Sequence, residues 1–430
     1  MQASRGARHR HDALRRRKGV ALTLPAIHRG ALAVTGWAIV LIGFSLPIST
    51  ALDNILLGVV LIAFLLAGQF RERLHALPRN PAVLALVGLY ILIAGATLYG
   101  DAPGATRLKY LSKYSDLLLI ILLMPPFVRE RTRRQALIAF GAAMGVTLLL
   151  SLLLSIGLLA PMQWLHGDPG NAVVFKLQIT HNLLMAFAAF LFATAALGEA
   201  VMWKKRALYA LAFLALVDVL FLVHGRTGQV ALLVLMAYFF ARHFGWRGLL
   251  AGVLTGAMAV VAAWYFSAIF REHLVLTTAQ FGNSKVEATA DAADSVGLRM
   301  EWYRNTLRMV AQRPILGAGT GGFPDAYAAF VGDPDASKPT HPHNQFLMTA
   351  AEMGIVGLAA LLAVFVTLWR SAARIPDLLR RELARGLVLT FVIGCLFNSL
   401  LIDHAEGLFF VWVTALAFAG VGSGREGEGR

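Results

Sequence analysis

The run His341-Pro342-His343-Asn344-Gln345 sets two imidazoles and two amides where a polar stretch gives way to a long apolar one. An imidazole titrates near neutral pH, so His343 suits a general base that takes a proton from a hydroxyl nucleophile. From His343 onward the helical period brings Leu347, Ala350, Gly354, Gly357 and Leu361 close to one line. The middle of that stripe is small and smooth, which admits a neighbouring helix or a lipid chain close to the backbone. The plainer reading is helix packing with a polar start, Asn344 or His343 capping the first turn. As a metal pair, His341-x-His343 has no third ligand at a diagnostic spacing.

Cations come next, because they could hold an anionic leaving group. Arg226 sits in the tight turn His224-Gly-Arg-Thr-Gly228, where glycines leave it little room to snorkel away. Arg299 precedes Trp302 and Tyr303 by three and four residues, within a helix expected over 296–312 and capped by Asp294 or Ser295. A guanidinium held against aromatics is a pre-organised planar fork for phosphate oxygens. Arg107 and Lys109, with Tyr110, Lys113 and Tyr114, head an apolar segment and read either as an interface belt or as an anion site. Lys176 leads into His181-Asn182, a second His-Asn pair at a helix start. Asp218 lies inside an apolar segment and reads as a functional acid or as a structural hydrogen-bonding group.

Several motifs allow competing readings. Gly317, Gly319 and Gly322 match G-x-G-x-x-G, but no strand precedes them and no βαβ unit surrounds them, so a dinucleotide site is excluded. Gly319 in a loop whose amides approach a phosphate or sugar stays open. Asp333-Pro-Asp335 reads as a metal-holding carboxylate pair or a solvated turn. Asp403, His404 and Glu406 could line the same cavity as His343. The single cysteine, Cys395, allows no intrachain disulfide.

The elements that must position these residues are set by composition. A chain of 430 residues that is 58% hydrophobic and 15% charged reads as an all-α polytopic membrane protein. Twelve apolar segments suit transmembrane helices, near 31–48, 51–69, 82–99, 113–128, 135–159, 179–199, 205–223, 227–241, 246–268, 344–369, 384–402 and 405–421. The organisation expected is a basic cytoplasmic tail over 1–30, helices one to nine over 31–268, a periplasmic catalytic loop over 269–343, helices ten to twelve over 344–421, and a cytoplasmic tail over 422–430. The net charge of +15 does not call for nucleic acid. Only 12 of the 39 Lys and Arg fall on the outer side of this arrangement, as the positive-inside rule requires. Seven of those 12 lie in the large loop, as exceptions to the rule. The basic stretch 370–385 reads as an amphipathic surface helix.

Taken together, the Arg226-Thr-Gly turn, Arg299-x-x-Trp302, the Arg313-Pro-Ile-Leu-Gly-x-Gly-x-Gly-Gly-Phe323 run and His343-Asn344-x9-Gly354-x-x-Gly357 resemble the O-antigen ligase and polymerase superfamily. The resemblance covers about residues 170 to 360, and its last motif favours the ligase branch. An Arg-x-x-x-Leu motif is expected in that branch, whereas Val230 follows Arg226 here. The resemblance implies a GT-C-like glycosyltransferase in a bacterial inner membrane, multi-pass, with its active site facing the periplasm. It would move a glycan from undecaprenyl diphosphate to lipid A-core without metal or cofactor. His343 would be the base and Arg226 and Arg299 would hold the diphosphate. Asn344, Trp302, Tyr303, Lys176, His181, Arg107, Lys109 and Gly319 would contact substrate. A polymerase, a protein O-oligosaccharyltransferase and a transporter are the alternatives, although no internal repeat supports the last.

Overall fold

The computed structural model describes residues 26–266, 296–332 and 339–422, apart from 69, 71–73, 76 and 163. The basic tail as far as residue 25, the candidate cap Asp294/Ser295, and the Asp333-Pro-Asp335 pair lie outside those residues. The helices are α1 (Ala26–Ser45), α2 (Thr50–Ala67), α3 (Pro81–Gly95), α4 (Gly104–Lys113), α5 (Ile120–Leu123), α6 (Glu130–Ser155), α7 (Gln178–Gly198), α8 (Met202–Val217), α9 (Arg226–Phe266), α10 (Val296–Gln312), α11 (Phe323–Val331), α12 (Gln345–Ala372), α13 (Leu378–Phe397) and α14 (His404–Phe418). No strand occurs among the described residues, only one isolated bridge, Asp168 to Asn171.

Among the described residues, seven helices are long and apolar enough to cross a membrane, and the apolar α14 is shorter. The chain is thus a multi-pass membrane protein. Its centre is formed by α7 and α14, which are apolar on all sides and buried on all sides. Phe140, Phe187, Phe409 and Trp412 pack there ring against ring, and the Trp412 indole donates to the Ile39 carbonyl.

Three segments depart from the expected pattern. The segment 113–128 is two short 3-10 turns flanking the four-residue α5, because Pro125 and Pro126 remove amide donors that a regular helix needs. Helix α9 reverses at Gly245, whose φ of 66° and ψ of −152° are open to glycine alone. A Cβ on Gly252 would meet the Phe240 side chain and one on Gly256 would meet Leu233, so the two halves fold back on each other as a hairpin. The stretch 370–385 is not a surface helix. Instead α12 ends at Ala372 and Asp377 caps α13 by accepting the Arg380 amide.

Helix α12 is broken at Gly354, where φ is 59° and ψ is −156°. A break inside an apolar helix leaves amides and carbonyls that must find partners within the protein. The glycine run supplies them. Ile355 donates to the Pro314 carbonyl at 2.8 Å, while the Ala318 and Gly319 amides donate to the Ala351 and Glu352 carbonyls at 2.9 and 2.7 Å. Backbones come so close that a Cβ on Gly354 would lie 2.2 Å from the Ile315 carbonyl. The smooth stripe read from the sequence therefore receives a loop of this chain.

Candidate active site

Helix α10 carries Arg299, Trp302 and Tyr303 up to the loop that enters α12. The Trp302 and His343 rings stack at 5.4 Å with 17° between planes, and the Tyr303 hydroxyl donates to the His343 carbonyl at 2.9 Å. His343 has a φ of 52°, a left-handed conformation unusual for a residue with a side chain. Asn344 caps α12 by accepting the Leu347 amide at 3.0 Å, and its amide nitrogen donates to the Leu396 carbonyl. Because Asn344 is the cap, capping does not require His343. The indole Nε1 of Trp302 is buried without a hydrogen-bond partner among the described residues.

His341 lies beside His343, with ring centroids 4.3 Å apart, and its Nδ1 accepts the His343 amide at 3.3 Å. Burial pushes its pKa down to about 3, with the charges of His343, Lys113 and Arg299 adding to the effect. His341 is therefore neutral at physiological pH. Asp403, on the link before α14, is raised by burial while the nearby Lys113 charge opposes the shift. Lys113 thus acts electrostatically on both sides of the site. Its ammonium stands 5.3 Å from the Tyr110 ring centre, and Tyr110 ties α4 to the loop through the Thr340 carbonyl at 2.9 Å.

From α4, Lys113 is the cation that reaches this group. Arg107 donates to the Thr97 carbonyl at 2.7 Å, and Lys109 is exposed. The helical period held the signal, since Tyr110 and Lys113 share a face. Lys176 is buried and committed to Thr50 Oγ1 at 2.7 Å and Asp53 at 3.6 Å. Beside it Thr180 donates to Glu406, and His404 pairs with Asp116 at 2.9 Å. A polar band therefore continues inward from the loop below Asp403.

His181 is committed elsewhere. Its Nδ1 accepts the Val174 amide and its Nε2 faces Asp218 at 3.0 Å, while Ser151 donates to the other Asp218 oxygen. The serine bonds to the acid and not to the imidazole, so this buried trio lacks a nucleophile–base pair. It gives Asp218 its partner. The next residue, Asn182, donates to the Val223 and Gly225 carbonyls at 3.1 and 3.2 Å. A Cβ on Gly225 or Gly228 would come within 2.4 Å of Asn182. These contacts clamp the turn that presents the exposed Arg226 at the start of α9.

Sequence reasoning missed Glu352. It is fully buried on α12, and its Oε1 accepts the Gly321 amide at 2.8 Å, at the entry to α11. The N-cap of α11, Gly322, has no side chain to do this. Gly319 lies between backbones, with its amide on the Glu352 carbonyl and its Cβ direction blocked by the Tyr99 carbonyl at 2.3 Å. The amides of this loop are thus taken up by the protein.

A family model described as O-Antigen ligase matches residues 210–362, a stretch that holds Arg226, Arg299 and His343. No curated protein matches the chain. One solved chain, from a structure described as the structural coordination of polymerization and crosslinking by a peptidoglycan synthase complex, is 18% identical with a TM-score of 0.46. The likeness covers 81% of this chain and 98% of that one.

Proposed function

We propose that this chain, whose residues 210–362 match an O-antigen ligase family model, belongs to that superfamily and transfers a glycan from undecaprenyl diphosphate to lipid A-core at the periplasmic face of the inner membrane. The observation that carries the reading is His343. It is held in a left-handed turn, relieved of capping, stacked on Trp302 and tied to the α10 that bears Arg299. A strained residue over-determined by its surroundings is characteristic of a working site.

In the transfer, the acceptor hydroxyl gives its proton to His343 as its oxygen bonds to the anomeric carbon. The bond from that carbon to the diphosphate oxygen breaks, and undecaprenyl diphosphate leaves. Arg299 and Arg226 stabilise the charge that develops on the diphosphate, each as a bidentate, permanently charged fork in place of a divalent ion. Lys113 adds a third cation on the side toward Asp403. The indole N–H of Trp302 donates to a substrate oxygen. Asn344, Tyr303 and Gly319 act by shaping the loop.

The test is reconstitution of the purified full chain with a polyprenyl-diphosphate glycan and lipid A-core, with and without chelator. Transfer to lipid A-core that survives chelation supports the reading. Glycan lengthening without lipid A-core makes the chain a polymerase, and transfer to a Ser or Thr peptide makes it a protein glycosyltransferase. Substrate movement across a vesicle without transfer makes it a transporter.

A further inference from the structure

A second constellation lies near the turn between α12 and α13, roughly 20 Å along α13 from Leu396, whose carbonyl the Asn344 side chain meets. Glu382 on α13 is fully buried, and three arginines converge on it. Arg242 Nε stands 3.1 Å from Oε1, Arg381 Nε 3.8 Å and Arg385 Nη1 4.0 Å. Tyr238 donates to the other oxygen, Oε2. Arg242 and Tyr238 therefore give each carboxylate oxygen a hydrogen bond, and Arg381 and Arg385 are surplus to that need. Their Nε atoms are buried without a hydrogen-bond partner among the described residues. One carboxylate against three guanidiniums leaves two positive charges. A cation group of this kind is stable when an anion completes it.

The surroundings say what kind of anion. The Arg385 guanidinium lies 5.5 Å from the Trp369 ring, and Trp369 ends an exposed apolar stripe on α12 that runs through Leu362 and Val366. The side chains of Arg381 and Arg385 remain 25% and 19% exposed, enough to be reached from outside. A cationic group at the head of an apolar stripe matches a phosphate joined to an acyl chain. We propose that Arg242, Arg381 and Arg385 hold the headgroup phosphate of an anionic glycerophospholipid on the membrane face opposite His343. Its acyl chain lies along Leu362, Val366 and Trp369.

Thermal unfolding of the full chain in detergent tests this, titrated separately with phosphatidylglycerol, phosphatidylcholine and inorganic phosphate. Phosphatidylglycerol raises the melting temperature saturably, and neither of the others does at the same concentration. R381Q/R385Q raises the half-saturating lipid concentration by roughly tenfold or more. K204Q/K205Q, at another basic helix start, leaves it unchanged. E382Q keeps a hydrogen-bonding isostere for Tyr238, removes the competing charge and lowers the half-saturating concentration. That variant tests the site even where the double arginine variant fails to fold. Equal stabilisation by phosphatidylcholine, equal losses in both double variants, or weaker binding by E382Q overturns the proposal. A shift by inorganic phosphate matching that of the lipid also overturns it, in favour of a small-anion site. None of these readouts depends on glycan transfer.

Discussion

At the scale of single residues, the two histidines are separated by environment. His343 to Ala abolishes transfer to within a hundredth or less of the wild-type rate, as expected when a base worth roughly 10² to 10⁴ is lost, with donor binding retained. His343→Asn behaves like His343→Ala. A near-wild-type rate for that variant removes His343 from the chemistry and moves attention to Asp403. His341 makes its own prediction through linkage. Its folded pKa, about 3, lies below the ordinary value of 6.5, so below pH 6.5 the unfolded chain binds a proton that the native chain does not. His341 therefore lowers stability as pH falls, by about 2 kcal/mol between pH 7 and 5. His341→Gln flattens that slope in paired unfolding measurements and leaves the rate of transfer near wild type. An unchanged slope means that His341 titrates normally. For the arginines, lysine keeps the charge and loses the fork, so Arg299→Lys and Arg226→Lys each impair transfer severely. Near-normal rates in both would end their role as bidentate phosphate ligands.

At the scale of elements, the glycine run and α12 are one device. Gly354 to Ala adds a Cβ 2.2 Å from the Ile315 carbonyl, in a backbone conformation that side chains rarely adopt. The backbone strain alone costs about 1–3 kcal/mol. The expected result is a lower melting temperature together with loss of transfer, because the loop that meets the break continues from α10, which carries Arg299 and Trp302. A stable and active Gly354→Ala enzyme contradicts this coupling. Its residues were legible in sequence as a smooth stripe and a glycine run, and α10 appears over the expected 296–312. The pairing between stripe and run was not legible. It depends on backbone groups of Ala351, Glu352 and Ile355 that become available only once the helix breaks, and a single glycine in an apolar run carries no mark of that. Glu352 was hidden for the same reason, since its partner is an amide across the break. His181 and Lys176 showed the opposite limit. Their types suit substrate binding, but Asp218 and Asp53, distant in sequence, hold them in the interior.

At the scale of the whole molecule, topology decides whether the site can meet its substrates. Helix α12 joins His343 to the turn at Ile375, and seven described helices are long enough to cross a bilayer. From the charge bias of the connections we predict that both termini and Ile375 face the cytoplasm and that residues 270–342 face the periplasm. The reversal at Gly245 bears on the count. Its two halves pack as an antiparallel pair, which predicts two crossings with Arg242 and Arg247 flanking a cytoplasmic turn. A single 33-residue span over 226–258 would carry those arginines within the membrane. Reporter fusions after Gly282, Gly245 and Ile375 separate the cases. Gly245 and Ile375 should report the cytoplasm and Gly282 the periplasm. The same side for Gly282 and Ile375 sinks the topology, and with it a periplasmic His343. A periplasmic signal at Gly245 with the other two as expected rejects the hairpin as a crossing pair, and leaves Arg226 on the wrong face to reach the diphosphate that Arg299 holds.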